Sequence, residues 1–193
     1  ADSEGITSEA TVEIAITGVN AAPVAENDEA EPEEDTELTI LVGDLLSNDS
    51  DVDSETLVLT VVAGPLHGTL EDQGDGTLLY TPDENYHGSD RFTYELSDGA
   101  DTSNLATVFL TVTPVNDEPF AADDSGEVSE LGVLAVAAPG LLANDTDVDL
   151  GDQLTVVAID GEEAAVGQFI TLSSGARLRV LADGGYEYDP NGQ

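Results

Sequence analysis

The stretch Asn48-Asp49-Ser50-Asp51-Val52-Asp53 returns 96 residues later as Asn144-Asp145-Thr146-Asp147-Val148-Asp149. Its surroundings return with it. "TGVNAAPVA" (17–25) matches "TPVNDEPFA" (113–121), and "GDLLSNDSDVD" (43–53) matches "PGLLANDTDVD" (139–149), both at the same spacing. A chain that repeats at a fixed period folds as repeated units of that size, and 96 residues is an ordinary length for a β-sandwich. "LLYTP" (78–82) is echoed by "YEYDP" (186–190) at 108 residues, which predicts an insertion within 160–175. The expected division is residues 1–22 as the end of one unit, 23–118 as a whole unit and 119–193 as the beginning of another.

Period-two alternation identifies the strands. "ATVEIAIT" (10–17) places Val12, Ile14 and Ile16 on one face, and "TLVLTVV" (56–62) does the same with Leu57, Leu59 and Val61. Residues 67–82 read as a hairpin turning at Gly74-Asp75-Gly76. "DRFTYELSDG" (90–99) aligns Phe92, Tyr94 and Leu96, and "NLATVFLTV" (104–112) closes the unit. In the last unit "QLTVVAI", "QFITL", "ARLRVLA" and "GYEYD" follow in the same order. No stretch has a convincing helical period; only "VGDLLSND" and "APGLLAND" could form a helical turn. The expectation is all-β: tandem antiparallel β-sandwiches stacked end to end, the last incomplete.

Charge then limits partners. There are 42 acidic residues against three basic ones, all arginine (Arg91, Arg177, Arg179), and the net charge is −39. Such a surface repels nucleic acid and anionic lipid and attracts cations. With no stretch of spanning length, no membrane insertion is expected. The 40% hydrophobic content, gathered in β-branched runs, argues against disorder. No cysteine is present, which removes disulfides, thiolate metal sites and thiol nucleophiles.

Asp49, Asp51 and Asp53 would stack like charges on one face of a straight strand. In a curved loop they can converge on a cation, and hard oxygens suit Ca²⁺ better than Mg²⁺ or Zn²⁺. An EF-hand does not fit: counting from Asp49, the sixth and twelfth positions are Ser54 and Thr60, and from Asp145 they are Leu150 and Val156. Asn48 and Asn144 precede the two clusters and join the candidate ligands, so the sets are Asn48, Asp49, Asp51, Asp53 and Asn144, Asp145, Asp147, Asp149. A second acidic set lies at the joins: Asn116, Asp117, Asp123 and Asp124, with Glu118 beside them, and earlier Asn20, Glu26 and Asp28. Ala21 stands where Asp117 stands later, so the second join is expected to hold metal better. The competing reading is turn-forming Asn and Asp beside proline.

These residues carry a resemblance. "LLSNDSDVDSETLVL", "GPLHGTLEDQGDGTLLYTPDENYHGSDRFTYELSDG" and "VTPVNDEPFAADD" resemble the cadherin-like tandem repeats of large bacterial surface proteins, including the VCBS-type modules of RTX adhesins. "ITLSSGARLRVLADGGYEYDPNG" looks more like the VCBS variant. The resemblance implies an immunoglobulin-like sandwich with calcium in loops and linkers, secretion to the bacterial cell surface, and a role as spacer or adhesion module between neighbouring repeats. "VNDEPF" is similar to the cadherin Asn-Asp-Asn-x-Pro linker through Asn116, Asp117 and Pro119. It departs in Glu118, which replaces the second Asn, and in Pro114, which stands where an acidic ligand usually lies.

Other readings lead elsewhere. A calcium-dependent polysaccharide-binding module, or one recognising a host or neighbouring cell surface, would display an exposed aromatic, and Tyr86 in "NYHG" is the best placed. Catalysis is not expected: His67 and His87 sit in glycine-flanked turns, and no Gly-x-Ser-x-Gly or His-Glu-x-x-His motif occurs. The last unit lacks counterparts of residues 83–113, while residues 10–17 are a loose copy of a final strand. Head-to-tail filaments by strand complementation would follow; the plainer reading is a segment excised from a longer protein.

Overall fold

The structure, a computed structural model, describes residues 3–5, 9–54 and 56–191. It forms two compact units, Ala1–Pro114 and Val115–Gln193.

The N-terminal unit holds seven strands: β1 (Asp28–Ala30), β2 (Leu38–Leu41), β3 (Val58–Ala63), β4 (Gly68–Asp72), β5 (Thr77–Pro82), β6 (Gly88–Ser97) and β7 (Ala106–Val112). One sheet has the order β1-β7-β6-β3 and the other β2-β5-β4. All pairings are antiparallel except β1 with β7, which run parallel with Asp28 opposite Val108. A helical turn α1 (Val42–Leu45) follows β2. Alternation buries one face of each long strand: Phe92, Tyr94 and Leu96 of β6 and Val108, Leu110 and Val112 of β7 meet Leu78 and Tyr80 of β5. All eight of these side chains are essentially inaccessible. Fully burying such a side chain contributes about 1.5–3 kcal/mol.

The hairpin β4–β5 turns where the glycines demand it. Gly74 and Gly76 have φ of 74° and 91°, the left-handed region that favours glycine. Gly68 explains the "HGTL" signature: its φ is 151°, and a Cβ there would collide with the Thr81 carbonyl. Asp90, 6% exposed, ties the neighbouring turn to the core. It accepts hydrogen bonds from the backbone N–H of Leu66 (2.9 Å), His67 (3.0 Å) and Arg91 (2.8 Å), and from the Tyr80 hydroxyl (3.1 Å). Burial pushes its carboxyl up, but these donors outweigh it and hold the group below the ordinary carboxylate value.

The C-terminal unit carries β8 (Leu134–Val136), β9 (Ile170–Thr171), β10 (Arg177–Val180) and β11 (Tyr186–Asp189) in one sheet of order β8-β11-β10-β9. Leu134 faces Tyr188 as Leu38 faces Tyr80, so β8, β11 and β10 reproduce β2, β5 and β4. Residues within 160–175 contribute a 3₁₀ turn, Glu163–Ala165, and the additional edge strand β9.

Two alternating segments are not strands. Residues 10–17 join no ladder among the described residues, and Val12, Ile14 and Ile16 are 80%, 79% and 92% exposed. Residues 154–158, the counterpart of β3, are also unladdered, although Val156 donates to the Ala182 carbonyl at 2.9 Å. The cause is the same. β3 is laddered only to β6, and the C-terminal unit offers no counterpart of β6 among its described residues. Alternation selects a face; a strand also needs a neighbour.

Candidate metal centre

The loop 48–53 is shaped by backbone bonds to the segment that leads into the unit. Val24 and Ser50 form an antiparallel bridge, with N–H to O distances of 2.8 and 3.0 Å. The three aspartates flank it. Asp49 Oδ1 accepts the N–H of Glu26 (2.8 Å) and Asp53 Oδ2 accepts the N–H of Ala21 (3.1 Å). Asp51 Oδ1 closes an Asx turn on the N–H groups of Asp53 (2.9 Å) and Ser54 (3.0 Å). Asn48 donates to the Asn27 carbonyl (3.2 Å) and Asp28 Oδ1 (3.0 Å).

The C-terminal unit repeats most of these bonds 96 residues on. Phe120 bridges Thr146. Asp145 accepts the N–H of Ala122 (2.8 Å), Asp149 that of Asp117 (2.7 Å) and Asp147 that of Asp149 (2.9 Å). Asn144 donates to the Asp123 carbonyl (3.2 Å). What each loop grips in the preceding segment is a main-chain amide. Ala21 and Asp117 thus supply the same main-chain donor, while the Asp117 side chain also brings an oxygen within 4.8 Å of one of Asp149.

The remaining oxygens sort into two places in the N-terminal unit. Oxygens of Asp51, Asp53 and Asp98 lie within 4.8 Å of one another. Asp51 Oδ2 is solvent-inaccessible and has no hydrogen-bond partner. A carboxylate oxygen withdrawn from water and left unpaired is costly unless a cation or proton meets it. Asp98 comes from the turn after β6. The N–H groups of Asp101 and Ala100, and then the Asn20 side-chain amide, hold its carboxyl below the ordinary value. Asn20 also reaches Asp101 at 2.9 Å, so its side chain acts as a donor.

Asp49 points elsewhere, toward Asp28. The Tyr94 hydroxyl lies 2.9 Å from Asp28 Oδ2 and 3.2 Å from Asp49 Oδ2, and also 3.0 Å from the Glu26 carbonyl. Burial, followed by the smaller repulsion of Asp49, raises the Asp28 carboxyl above its ordinary value despite the Tyr94 and Asn48 donors. Glu26 takes part through its backbone. In the C-terminal unit the cluster is Asp147, Asp149 and Asp152, again within 4.8 Å. Asn116 donates to the Asp117 carbonyl at 2.8 Å.

Asp98 and Asp152 escaped sequence reasoning. Asp98 is 45 residues from Asp53 in sequence and reads as a turn residue of "LSDG"; Asp152 follows the glycine in "DVDLGD", outside the repeated hexapeptide. Tyr86 is half-buried. Its ring stacks on His67 with centroids 4.1 Å apart and planes 7° from parallel, and its hydroxyl donates to the Ser89 carbonyl at 2.8 Å. His87 Nδ1 lies 3.2 Å from Glu34 Oε2.

Paired sheets and repeated aspartate loops agree with the family comparisons. The cadherin-like domain family matches residues 19–113, and the bacterial cadherin-like domain family matches residues 116–193. The chain is a tandem of cadherin-like domains. Cadherin-like domains generally serve as structural and adhesion modules and generally bind calcium. No curated protein matches the chain. Among solved structures, an endo-fucoidan hydrolase of glycoside hydrolase family 107, MfFcnA4, is similar at 22% identity with a TM-score of 0.35, over 50% of this chain and 14% of that one. The cadherin-like chain thus spans about one-seventh of that protein. No helix among its described residues is long and apolar enough to cross a membrane.

Proposed function

We propose that this chain is a calcium-stiffened extracellular repeat segment of a bacterial adhesin, working as a spacer or adhesion module. The observation that supports this most is the orphaned Asp51 Oδ2, set among the carboxylates of Asp53 and Asp98. The donor set is all oxygen, as Ca²⁺ requires. Asp51, Asp53 and Asp98 would hold the ion in the N-terminal unit, and Asp147, Asp149 and Asp152 in the C-terminal one.

When bound, calcium supplies positive charge that offsets the mutual repulsion of these carboxylates. The chain's own residues do the rest. The Asx turn at Asp51 presets the loop, while Asp49 and Asp53 hold the N–H groups of Glu26 and Ala21. The leading segment is thereby pinned at Ala21 and Glu26, with the Val24–Ser50 bridge between them. In the C-terminal unit Asp145 and Asp149 pin residues 117–122 in the same way. Stiffness at the start of every unit is what a spacer built from tandem repeats needs. Secretion and an RTX- or VCBS-type parent belong to the same reading. Polysaccharide recognition through Tyr86 finds less support, because that ring is stacked on His67.

Calorimetric titration of the metal-free chain with calcium, alongside thermal melts, tests the proposal. Saturable binding with a rise in melting temperature is expected. A melt and hydrodynamic radius indifferent to calcium would reject it.

A further inference from the structure

Each sheet of the N-terminal unit ends in two edge strands. An exposed edge presents unpaired N–H and C=O groups, and proteins guard it by shortness, charge or proline. Strand β1 is three residues long and carries Asp28 and Glu29, β2 is four residues long, and β4 carries Glu71 and Asp72. Strand β3 has none of these guards. It is six residues long, "VLTVVA", with no charge and no proline, and its outward side chains Val58 and Val62 are 60% and 54% exposed. Residues 59–63 recur unchanged at 154–158, so the C-terminal unit carries the same uncharged run.

The neighbouring strand β6 shows which backbone groups of β3 are open. Leu96 donates its N–H to the Ser103 hydroxyl (2.9 Å), and its carbonyl accepts the Ser103 N–H (2.9 Å), so both groups face away from β3. Backbone direction alternates along an antiparallel strand. Glu95 and Ser97 therefore face β3, and their partners Thr60 and Val58 turn toward that ladder. Leu59 and Val61 turn their N–H and C=O to the open edge, and no described residue is hydrogen-bonded to them there. Beyond Val61 a bulge shifts the register and ends the regular run. The open stretch is thus Leu59-Thr60-Val61, centred on Thr60.

We propose that β3 pairs with β3 of a second copy, antiparallel about a two-fold axis at Thr60. Leu59 of each copy exchanges both main-chain bonds with Val61 of the other, and the two Thr60 side chains meet across the axis. Val58 of each copy lies beside Val62 of the other. The segment "VLTVV" reads nearly the same in both directions: valine meets valine, leucine meets valine and threonine meets threonine. A second copy therefore matches this edge residue for residue, with favourable cross-strand pairs throughout. The contact is isologous and consumes the edge, so association closes at a dimer. The charge of −39 on each copy opposes it, so added salt should strengthen it.

Sedimentation equilibrium of the 193-residue chain in excess calcium, across a concentration series, is the first test. Average mass should rise with concentration and level off at a dimer, which should tighten as sodium chloride is added. Thr60→Lys sets like charges against each other across the axis and should weaken the dimer about tenfold or more. Thr60 is exposed in the single copy, and an unchanged melting temperature at a dilution where the chain is monomeric will show that the variant keeps its fold. Because the chain has no cysteine, register can be read directly. Opposed Thr60 residues have Cα atoms about 4.5 Å apart, within disulfide reach, whereas the two Val58 residues lie about 13 Å apart. In a glutathione redox buffer Thr60→Cys should therefore give a disulfide-linked dimer and Val58→Cys should not. A monomer at every concentration, a dimer insensitive to Thr60→Lys, or cross-linking as strong through position 58 as through position 60 would each overturn the proposal.

Discussion

The two units share one loop and one trio of strands and differ in the core behind them. Around Asp49–Asp53 and Asp145–Asp149 the same amides meet the same carboxylates at nearly the same distances. Beneath the first loop lies a closed core, with Tyr80, Tyr94, Leu96, Ala106 and Val108 at 0% exposure. Beneath the second, Ala176 and Val180 alone among that unit's described residues are buried apolar side chains. The loop is therefore a local device. It is closed by a handful of bonds to the segment 23–32 residues upstream.

Core substitutions should separate the units most sharply. Phe92→Ala is expected to cost the N-terminal unit about 3–5 kcal/mol and to leave the C-terminal loop untouched. Hydrogen exchange resolved by peptide checks this: protection should fall across β5, β6 and β7 and stay constant at residues 117–149. Loss of protection in both units at once would show that the loops share one folding unit with the core.

Calcium should act on both units alike. At one hundred times Kd it is expected to stabilise each loaded unit by about 2.7 kcal/mol, a shift of roughly 10–20 °C for a domain of this size. Asp51→Asn keeps the oxygen that closes the Asx turn and removes the charge of the orphaned one. It should abolish the calcium shift of the N-terminal unit alone, and Asp147→Asn that of the C-terminal unit alone, as seen by differential scanning calorimetry. A calcium shift that survives both changes would place the metal outside these loops.

Much of this architecture was legible in the chain. Phe92, Tyr94 and Leu96 announced their shared face because a strand's period is local, and Gly74-Asp75-Gly76 announced a hairpin because turn geometry is local. The acidic hexapeptide drew attention to loops 48–53 and 144–149 for the same reason. Asp98 was invisible because nothing near it in sequence reports that β6 returns its end to loop 48–53. Strand β1 was invisible too: "DEA" is short, polar and paired in parallel with a strand about 80 residues away. Residues 10–17 and 154–158 show the converse, an alternating pattern without the partner that would make it a ladder.

Acid should sharpen the contrast from the other side. The folded carboxyl of Asp90 sits below its ordinary value, so its contribution is present above the unfolded value and is lost as pH falls through the depressed folded one. Asp90→Asn is expected to cost about 1–3 kcal/mol near neutrality and to flatten the acid limb of the N-terminal unit's stability curve. Denaturant titrations at a series of pH values will show it; an unchanged acid limb would mean that another group sets it. The smallest effect expected is that of Tyr94→Phe, about 1 kcal/mol, read as a lowered denaturant midpoint of the metal-free chain.

That the aspartates of each loop clasp main-chain amides has a consequence for which substitutions the leading segment tolerates. A grip that reads only the polypeptide backbone is indifferent to which residues are threaded through it, proline excepted. Substitution at Ala21, Glu26, Asp117 or Ala122 therefore leaves the aspartate bonds in place, whereas Asn20 and Asp28 are held through their side chains and are not free to change.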